Sequence, residues 1–71
     1  MKRKFLIVIE KYKSTFSAYS PDVPGCIATG KTIKEVEKNI KGAIQFHLEG
    51  MKEENLEIPE PHTKAKYILA G

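Results

Sequence analysis

The spacing of apolar residues predicts three strands, one helix and a further strand. The run from Phe5 to Ile9 is continuously apolar and rich in β-branched residues, which indicates a short strand covered on both faces. Thr15 to Tyr19 alternates apolar and polar positions, and only a short connection separates it from the first run, so the two predict an antiparallel hairpin. Cys26 to Thr29 predicts a third strand and Lys64 to Ala70 a last one.

A long amphipathic helix is predicted between the third and the last strand. Thr32 and Glu35 have the spacing of a capping box, in which each side chain satisfies a free backbone N–H of the other residue. We expect the helix to end at Gly50 or to run a turn further, through Lys52. At about 100° per residue, one apolar stripe contains Ile33, Val36, Ile40, Ala43, Ile44, Leu48 and Met51.

These elements predict an α+β fold of order β-β-β-α-β, in a single domain spanning residues 1–71. The first three strands run up, down and up, and the helix returns the chain so that the last strand lies parallel to the first. The predicted sheet is therefore mixed and four-stranded, with strand order 3-2-1-4 and a right-handed crossover. The interior place of the first strand explains why it is apolar on both faces. One helix covers one face, which leaves the other face or an edge for another chain.

The segment between the second and third strands cannot be regular structure. Each of its prolines fixes its own φ and pushes the preceding residue toward extended geometry. Asp22 can hydrogen-bond the backbone two residues on, and Gly25 can adopt a positive φ. Because a rigid, exposed turn loses little entropy on binding, we predict that it contacts a partner. The predicted partner-binding residues are Ser20, Pro21, Asp22, Val23, Pro24 and Gly25.

A chain of 71 residues usually needs a disulfide, a metal or a partner subunit in addition to its hydrophobic core. A chain this short buries only about 60% of its unfolded surface. Its one cysteine, Cys26, excludes an intrachain disulfide, and with the distant His47 and His62 it forms no zinc-binding pattern. We predict neither a metal nor a cofactor, and expect a homo-oligomer, a dimer or a tetramer.

Three residues are the predicted oligomer contacts: Phe46, His47 and Tyr67. Phe46 lies off the apolar stripe of the helix, on an otherwise polar face. His47 falls within the stripe, which is typical of a partly buried histidine at the rim of the core or of a subunit contact. Tyr67 lies on the last predicted strand, on the same face as Ala65 and Leu69.

Charge and apolar content limit the possible partners. The net charge of +3, from 12 basic and 9 acidic residues, is too small to indicate nucleic-acid binding by itself. No stretch approaches the roughly 20 apolar residues of a membrane span, and the basic start lacks the features of a signal peptide. We therefore expect a cytoplasmic protein with no membrane partner.

The sequence offers no catalytic set. A metal-dependent nuclease needs several converging carboxylates, and the predicted strands supply only Glu10. Cys26 follows Gly25 at a strand start, where a small, half-buried side chain is the ordinary interpretation, and no Gly-rich phosphate loop occurs. We predict that the protein is not an enzyme and has no catalytic residues.

Two other kinds of protein remain open at this point. A nucleic-acid binder would use Lys2, Arg3 and Lys4 with aromatic side chains on the sheet, although ordinary sheet packing is the favoured interpretation of those aromatics. A stand-alone structural oligomer would need no partner of another kind. The aromatic residues in question are Tyr12, Phe16, Tyr19 and Tyr67.

Two neighbouring stretches resemble the HicB-like antitoxin family. Residues 16–26 contain Pro-Asp-Val-Pro-Gly-Cys, and residues 30–36 contain Gly-Lys-Thr-Ile-Lys-Glu-Val. In that family a turn of the form P-D-(apolar)-P-G-C is followed by G-x-T-x-x-E-(apolar), which opens the helix. The similarity extends over nearly the whole chain, through Leu48-Glu49 and the Ile58-Pro59-Glu60-Pro61 linker.

The resemblance implies a partial RNase H-like fold and a non-catalytic role. Family members bind and block a HicA-type toxin, a small RNA-cleaving protein, and commonly form dimers or larger oligomers. Many carry a C-terminal domain that binds their own operator. Because this sequence stops at Gly71, just after the last predicted strand, we do not expect it to bind DNA directly without such a domain.

Overall fold

The computed structural model describes residues 3–71, in which three strands precede one helix. The strands are β1 (Val8–Tyr12), β2 (Thr15–Tyr19) and β3 (Ile27–Gly30), and the helix is α1 (Ile33–Glu53). The strands form an antiparallel sheet in the order β1-β2-β3. The predicted α+β class and the predicted order of the first three strands are confirmed.

In the hairpin of β1 and β2, one strand has its predicted bounds and the other lies further along the chain than predicted. β2 has its predicted bounds, whereas β1 was predicted at Phe5 to Ile9 and begins at Val8 instead. Val8 pairs with Tyr19, the last residue of β2, and the chain turns away after that residue. Phe5 to Ile7 therefore have no strand beside them, although their side chains are half-buried.

The predicted fourth strand is wrong for the residues that the structure describes. Lys64 to Ala70 have no regular secondary structure, so the sheet has three antiparallel strands and is not the predicted mixed sheet of order 3-2-1-4. β1 consequently lies at an edge of the sheet and not in its interior. An alternating apolar pattern forms a strand only where a neighbouring edge accepts its hydrogen bonds, and this segment meets none in its own chain.

The start of α1 confirms the predicted cap with one difference. The Glu35 backbone N–H donates to Thr32 Oγ1 at 3.0 Å. The Glu35 carboxylate accepts from the Lys31 backbone N–H at 2.9 Å, where the capping-box pattern places the N–H of Thr32. The helix continues past Gly50 and ends at Glu53, so the longer of the two expected ends is correct to within a residue.

The core lies between α1 and one face of the sheet. Val36, Ile40 and Ile44 of the helix are buried there, and α1 packs on β3 and β2. Gly30 permits this approach, because a Cβ atom at that position would lie 2.7 Å from the backbone nitrogen of Val36. The helix thus covers the β2–β3 side of the sheet, and the opposite face carries no second layer in residues 3–71.

Candidate partner-binding site

The turn between β2 and β3 fastens two distant segments of the chain. Its first residue, Ser20, is buried, and its hydroxyl donates to the backbone carbonyl of Leu6 at 2.8 Å. This bond holds the segment before β1 against the body of the protein. Two backbone hydrogen bonds close the turn itself, from Val23 N–H to Ser20 O at 3.2 Å and from Cys26 N–H to Val23 O at 3.3 Å.

Asp22 fastens the segment that follows the helix. Its carboxylate is completely buried and accepts hydrogen bonds from the backbone N–H groups of His62 and Thr63, each at 3.1 Å. The Thr63 hydroxyl donates to the same carboxylate, and His62 Nδ1 lies 2.9 Å from Oδ1. We call these three residues the Asp22 clamp. Its donors satisfy a charge that would otherwise be costly to bury.

Hydrogen bonding sets the ionisation of this carboxyl. The bond from the Thr63 hydroxyl is the largest cause that lowers the pKa of Asp22 below its ordinary value of 3.8. Burial opposes the shift, while the two backbone N–H donors and a positive charge on His62 add to it. The net direction is downward, so Asp22 carries a negative charge at neutral pH.

The predicted turn is correct in shape but wrong in two details. Asp22 does not bond the backbone two residues on, because that residue is Pro24, which has no N–H to donate, and the carboxylate accepts from His62 and Thr63 instead. The turn is also not exposed throughout, since Ser20, Asp22 and Val23 are buried and only Pro21, Pro24 and Gly25 are exposed. Gly25 has the predicted positive φ, at +89°.

A surface patch surrounds the exposed part of the turn. In the register of the sheet, Val8 pairs with Tyr19, and Tyr19 pairs with Ile27. These side chains point away from the helix, because Ala18 next to Tyr19 is buried beneath it. We call the set of Val8, Tyr19, Pro21, Pro24 and Ile27 the open-face patch.

The predicted oligomer contacts are not brought together within one copy. Phe46 is exposed, as its position off the stripe predicts, and Tyr67 is fully exposed on the segment after the clamp. His47 is exposed as well, so its expected partial burial is wrong for the single chain. Ile44 and Leu48 define the buried line at this end of the helix, and His47 lies about 80° to one side of it.

Cys26 and His62 have the environments expected of non-reactive residues. Cys26 is buried, its thiol lies 3.8 Å from the backbone carbonyl of Ala43, and burial raises its pKa. His62 has a largely exposed side chain, although its Nδ1 lies next to the Asp22 carboxylate. Among residues 3–71 no three His, Cys, Asp or Glu side chains are grouped to hold a metal, and no helix is long and apolar enough to cross a membrane.

The surface proposed for nucleic acid is not assembled. Tyr12 and Tyr19 lie on the open face of the sheet, whereas Phe16 shares the helix side with Ala18. Arg3 forms an ion pair with Glu60 at 3.2 Å. Lys4 is exposed, and Lys2, also named for this contact, lies outside the described residues.

Comparison with known proteins assigns the family. A model described as the HicB-like antitoxin of a bacterial toxin–antitoxin system matches residues 5–70. The chain belongs to the HicB-like antitoxin family. The match covers all the elements described above, including the Asp22 clamp and the segment after it. The resemblance drawn from the turn and the capped helix is thereby confirmed.

Two relatives show how far this HicB-like sequence extends along other proteins. An uncharacterised 14.9 kDa protein from the rep–hol intergenic region of Haemophilus phage HP1 is 44% identical over 62 residues, or 87% of this chain. The chain spans 47% of the phage protein, about half of its length. A UPF0150 protein of Thermoplasma acidophilum is 36% identical over 62 residues, which cover 86% of this chain and 90% of the relative.

A solved structure supports the same family at the level of the fold. The HicB-like chain is similar to a chain of a HicA3 and HicB3 toxin–antitoxin complex, with a TM-score of 0.66 and 31% identity. The alignment covers 83% of this chain and 72% of the other. The likeness therefore includes most of the sheet and helix that support the open-face patch.

Proposed function

We propose that this protein is a non-catalytic antitoxin that binds and blocks a HicA-type RNA-cleaving toxin in the cytoplasm, without a metal or a cofactor. The observation that carries the proposal is the family match over residues 5–70. The likeness to a chain from a toxin–antitoxin complex supports it. Such a protein acts by covering the toxin's RNA-binding or catalytic surface, which requires a stable, complementary face and no chemistry of its own.

The open-face patch is the best-suited contact surface on the described residues. Ile27 and Tyr19 are large hydrophobic residues on a regular sheet. They are nevertheless 70% and 41% exposed, respectively. Exposed apolar side chains grouped around a rigid turn are typical of a protein-binding surface. The prolines at the rim, Pro21 and Pro24, restrict the backbone before binding, which lowers the entropy lost on association.

Buried members of the turn support this surface and do not themselves touch a partner. Ser20 and Asp22 use their side chains to hold the segments on either side of the turn. Val23 is fully buried and contributes to the core. The partner contact predicted for the whole turn is therefore assigned to Pro21, Pro24 and Gly25, with the neighbouring sheet residues.

A pair of matched variants tests the function and the surface together. Ile27→Asp places a charge in the patch, whereas Tyr12→Asp places one on the same sheet face at the far end of the hairpin. The two original side chains are 70% and 73% exposed, so neither substitution disturbs the core. A HicA-type toxin from the same cell is co-expressed with each tagged variant, and complex formation is measured by pull-down and inhibition of RNA cleavage.

We expect the unaltered protein and Tyr12→Asp to capture the toxin and stop RNA cleavage. Ile27→Asp should weaken binding at least tenfold, because an unpaired charge would be buried at the contact. Failure of the unaltered protein to bind the toxin contradicts the antitoxin function. Equal binding by Ile27→Asp and Tyr12→Asp contradicts only the location of the contact.

A further inference from the structure

The segment that follows the helix is attached to the body of the protein mainly through the turn. Residues 57–71, which we call the post-helix segment, begin after Leu56, whose backbone N–H still bonds back to α1. Four hydrogen bonds join this segment to the rest of residues 3–71. One runs from Arg3 to Glu60, and the other three all end on the carboxylate of Asp22. The Asp22 clamp is therefore the principal anchor of the segment.

The anchoring residue stands inside the proposed contact surface. Pro21 and Pro24, which form the rim of the open-face patch, lie on either side of Asp22 and are exposed, whereas its carboxylate is fully buried. The same short turn is closed by the hydrogen bond from Val23 N–H to Ser20 O at 3.2 Å, and each proline fixes its own φ. One part of so restricted a turn cannot move alone. The direction of the Asp22 side chain therefore helps to set the positions of both prolines.

The donors of the post-helix segment allow the Asp22 carboxylate to point inward. A buried charge is costly unless hydrogen bonds satisfy it. Among residues 3–71, every hydrogen bond to this carboxylate comes from His62 or Thr63. When these two residues withdraw, the carboxylate would regain hydrogen bonds by turning outward to water. That rotation would displace the backbone between Pro21 and Pro24, and with it the rim of the patch.

We propose that a HicA-type toxin and the post-helix segment bind this turn cooperatively, the toxin at the exposed prolines and the segment at the buried carboxylate. The turn has two arrangements. With the clamp closed the open-face patch is complete, and with the clamp open the carboxylate faces water and the rim is displaced. A toxin that binds only the closed arrangement stabilises the clamp, and loss of the clamp weakens toxin binding in return. This regulation rests on the proposed function, since it acts on the same surface.

Thr63 is the residue through which the clamp can be altered most selectively. Its hydroxyl and its backbone N–H both donate to Asp22, and the hydroxyl is the largest cause of the lowered pKa of Asp22. The backbone donors cannot be removed by changing a side chain, and the His62 side chain is 79% exposed to solvent. We therefore assign Asp22 and Thr63 as positioning residues, which act on the toxin through the two prolines without touching it.

Three variants of the post-helix segment test the coupling. Thr63→Val removes the hydroxyl at nearly constant volume, whereas Thr63→Ser keeps a hydroxyl at the same position. Glu60→Gln is the matched control, because it breaks the ion pair with Arg3, at 3.2 Å, and leaves the donors to Asp22 in place. Circular dichroism and light scattering verify that each variant is folded and has the mass of the unaltered protein.

Isothermal titration calorimetry with a HicA-type toxin from the same cell measures the affinity of each variant. We expect Thr63→Val to raise the dissociation constant about fivefold, because fewer molecules have the clamp closed before binding. Thr63→Ser and Glu60→Gln should stay within about twofold of the unaltered protein, since the first keeps the donor and the second removes only an exposed ion pair. Equal affinities of folded Thr63→Val and Glu60→Gln would overturn the coupling.

Amide hydrogen exchange in the unaltered protein tests the reverse direction. The backbone N–H groups of His62 and Thr63 donate to Asp22, so their exchange follows the opening of the clamp. Saturating toxin should slow both by at least the factor that Thr63→Val adds to the dissociation constant, because coupling is reciprocal. The Tyr67 amide, beyond the clamp, is the control and should change less than about twofold. Equal slowing at Tyr67, which indicates direct cover by the toxin, overturns the proposal, as does unchanged exchange at His62 and Thr63.

A measurement without toxin separates the coupling from the antitoxin function. Gly25 belongs to the turn and Ile27 to the open-face patch, and neither is part of the clamp. Their backbone amide chemical shifts, measured by NMR, should move in Thr63→Val and stay in place in Thr63→Ser. Failure of the unaltered protein to bind the toxin contradicts the proposed function. Unmoved shifts of Gly25 and Ile27 in folded Thr63→Val contradict the coupling between the clamp and the turn, whatever the toxin does.

Discussion

The turn at Ser20–Gly25 and the tail at residues 64–71 are opposite cases in one small protein. In the turn, buried polar side chains reach across the fold to Leu6, His62 and Thr63. In the tail, apolar side chains reach nothing in their own copy. The turn is thus fixed by contacts within one chain, whereas the tail has a strand-forming sequence that pairs with no strand among residues 3–71.

This difference separates two kinds of structural information in a sequence. Proline and a turn glycine restrict their own backbone wherever they occur, so the course of the turn depends little on distant residues. A strand forms only beside another strand, and its own sequence does not show which segment that neighbour is. The comparison therefore predicts that truncating a buried residue of the turn destabilises the single chain, and that truncating an exposed residue of the tail does not.

The largest effect should come from a pair of truncations, Val23→Ala in the turn and Leu69→Ala in the tail. Val23 is fully buried, and its loss should lower the free energy of unfolding by about 2.5 kcal/mol through lost burial and a cavity. That loss should be the same at every protein concentration. Leu69→Ala should cost less than about 0.5 kcal/mol, because the Leu69 side chain is fully exposed and its loss removes no packing contact.

Urea unfolding at several protein concentrations measures both effects. Circular dichroism follows the helix, and the midpoints are compared with those of the unaltered chain. A concentration-independent loss of about 2 kcal/mol for Leu69→Ala would contradict the contrast, because it would place the tail in the core of its own copy.

The sequence predicts the local features of the fold better than it predicts which strands pair with each other. The bounds of β2, the Thr32 cap and the positive φ of Gly25 depend on neighbouring residues, and all three are confirmed. The bounds of β1 were wrong by three residues at each end, because pairing with β2 sets them. The fourth strand was predicted from its pattern alone, which gives no information about the edge that receives it.

The site shows the same limit. The two prolines and the glycine predict a rigid turn, and the structure has one. The role of Asp22 was missed, since its partners His62 and Thr63 lie 40 and 41 residues further along the chain. No local spacing links them, so nothing near Asp22 in the sequence indicates these partners.

A second pair of variants contrasts two glycines on either side of the helix start. Gly30→Ala should cost about 2 kcal/mol, because its new Cβ would meet the Val36 backbone nitrogen at 2.7 Å. Gly42→Ala should add about 1 kcal/mol, since no atom lies within 4 Å and alanine favours the helix. Thermal unfolding of dilute protein measures both, and a stabilising Gly30→Ala would contradict the close approach of β3 and α1.

The smallest effect concerns the charge of Asp22 and appears as a dependence on pH. The pKa of Asp22 is lowered in the folded protein, chiefly by the Thr63 hydroxyl, from an ordinary value of 3.8. A lowered folded pKa means that the stabilisation is complete above the unfolded pKa and is lost as pH falls through the folded one. Asp22→Asn, which carries no charge, should therefore be less stable than the unaltered protein at pH 7, by a margin that stays constant down to about pH 5.

Below about pH 4 the two stability curves should converge, because protonation gives the unaltered carboxyl the same neutral charge as the amide. His62 is the titratable group that faces this carboxylate, so His62→Asn is measured in parallel. The His62→Asn variant should still lose most of the same stability as the pH falls. The Thr63 hydroxyl and two backbone N–H groups continue to donate hydrogen bonds to the charged Asp22 carboxylate. If instead His62→Asn removed the loss, the ion pair and not the hydrogen-bonded clamp would be what fastens the base of the tail.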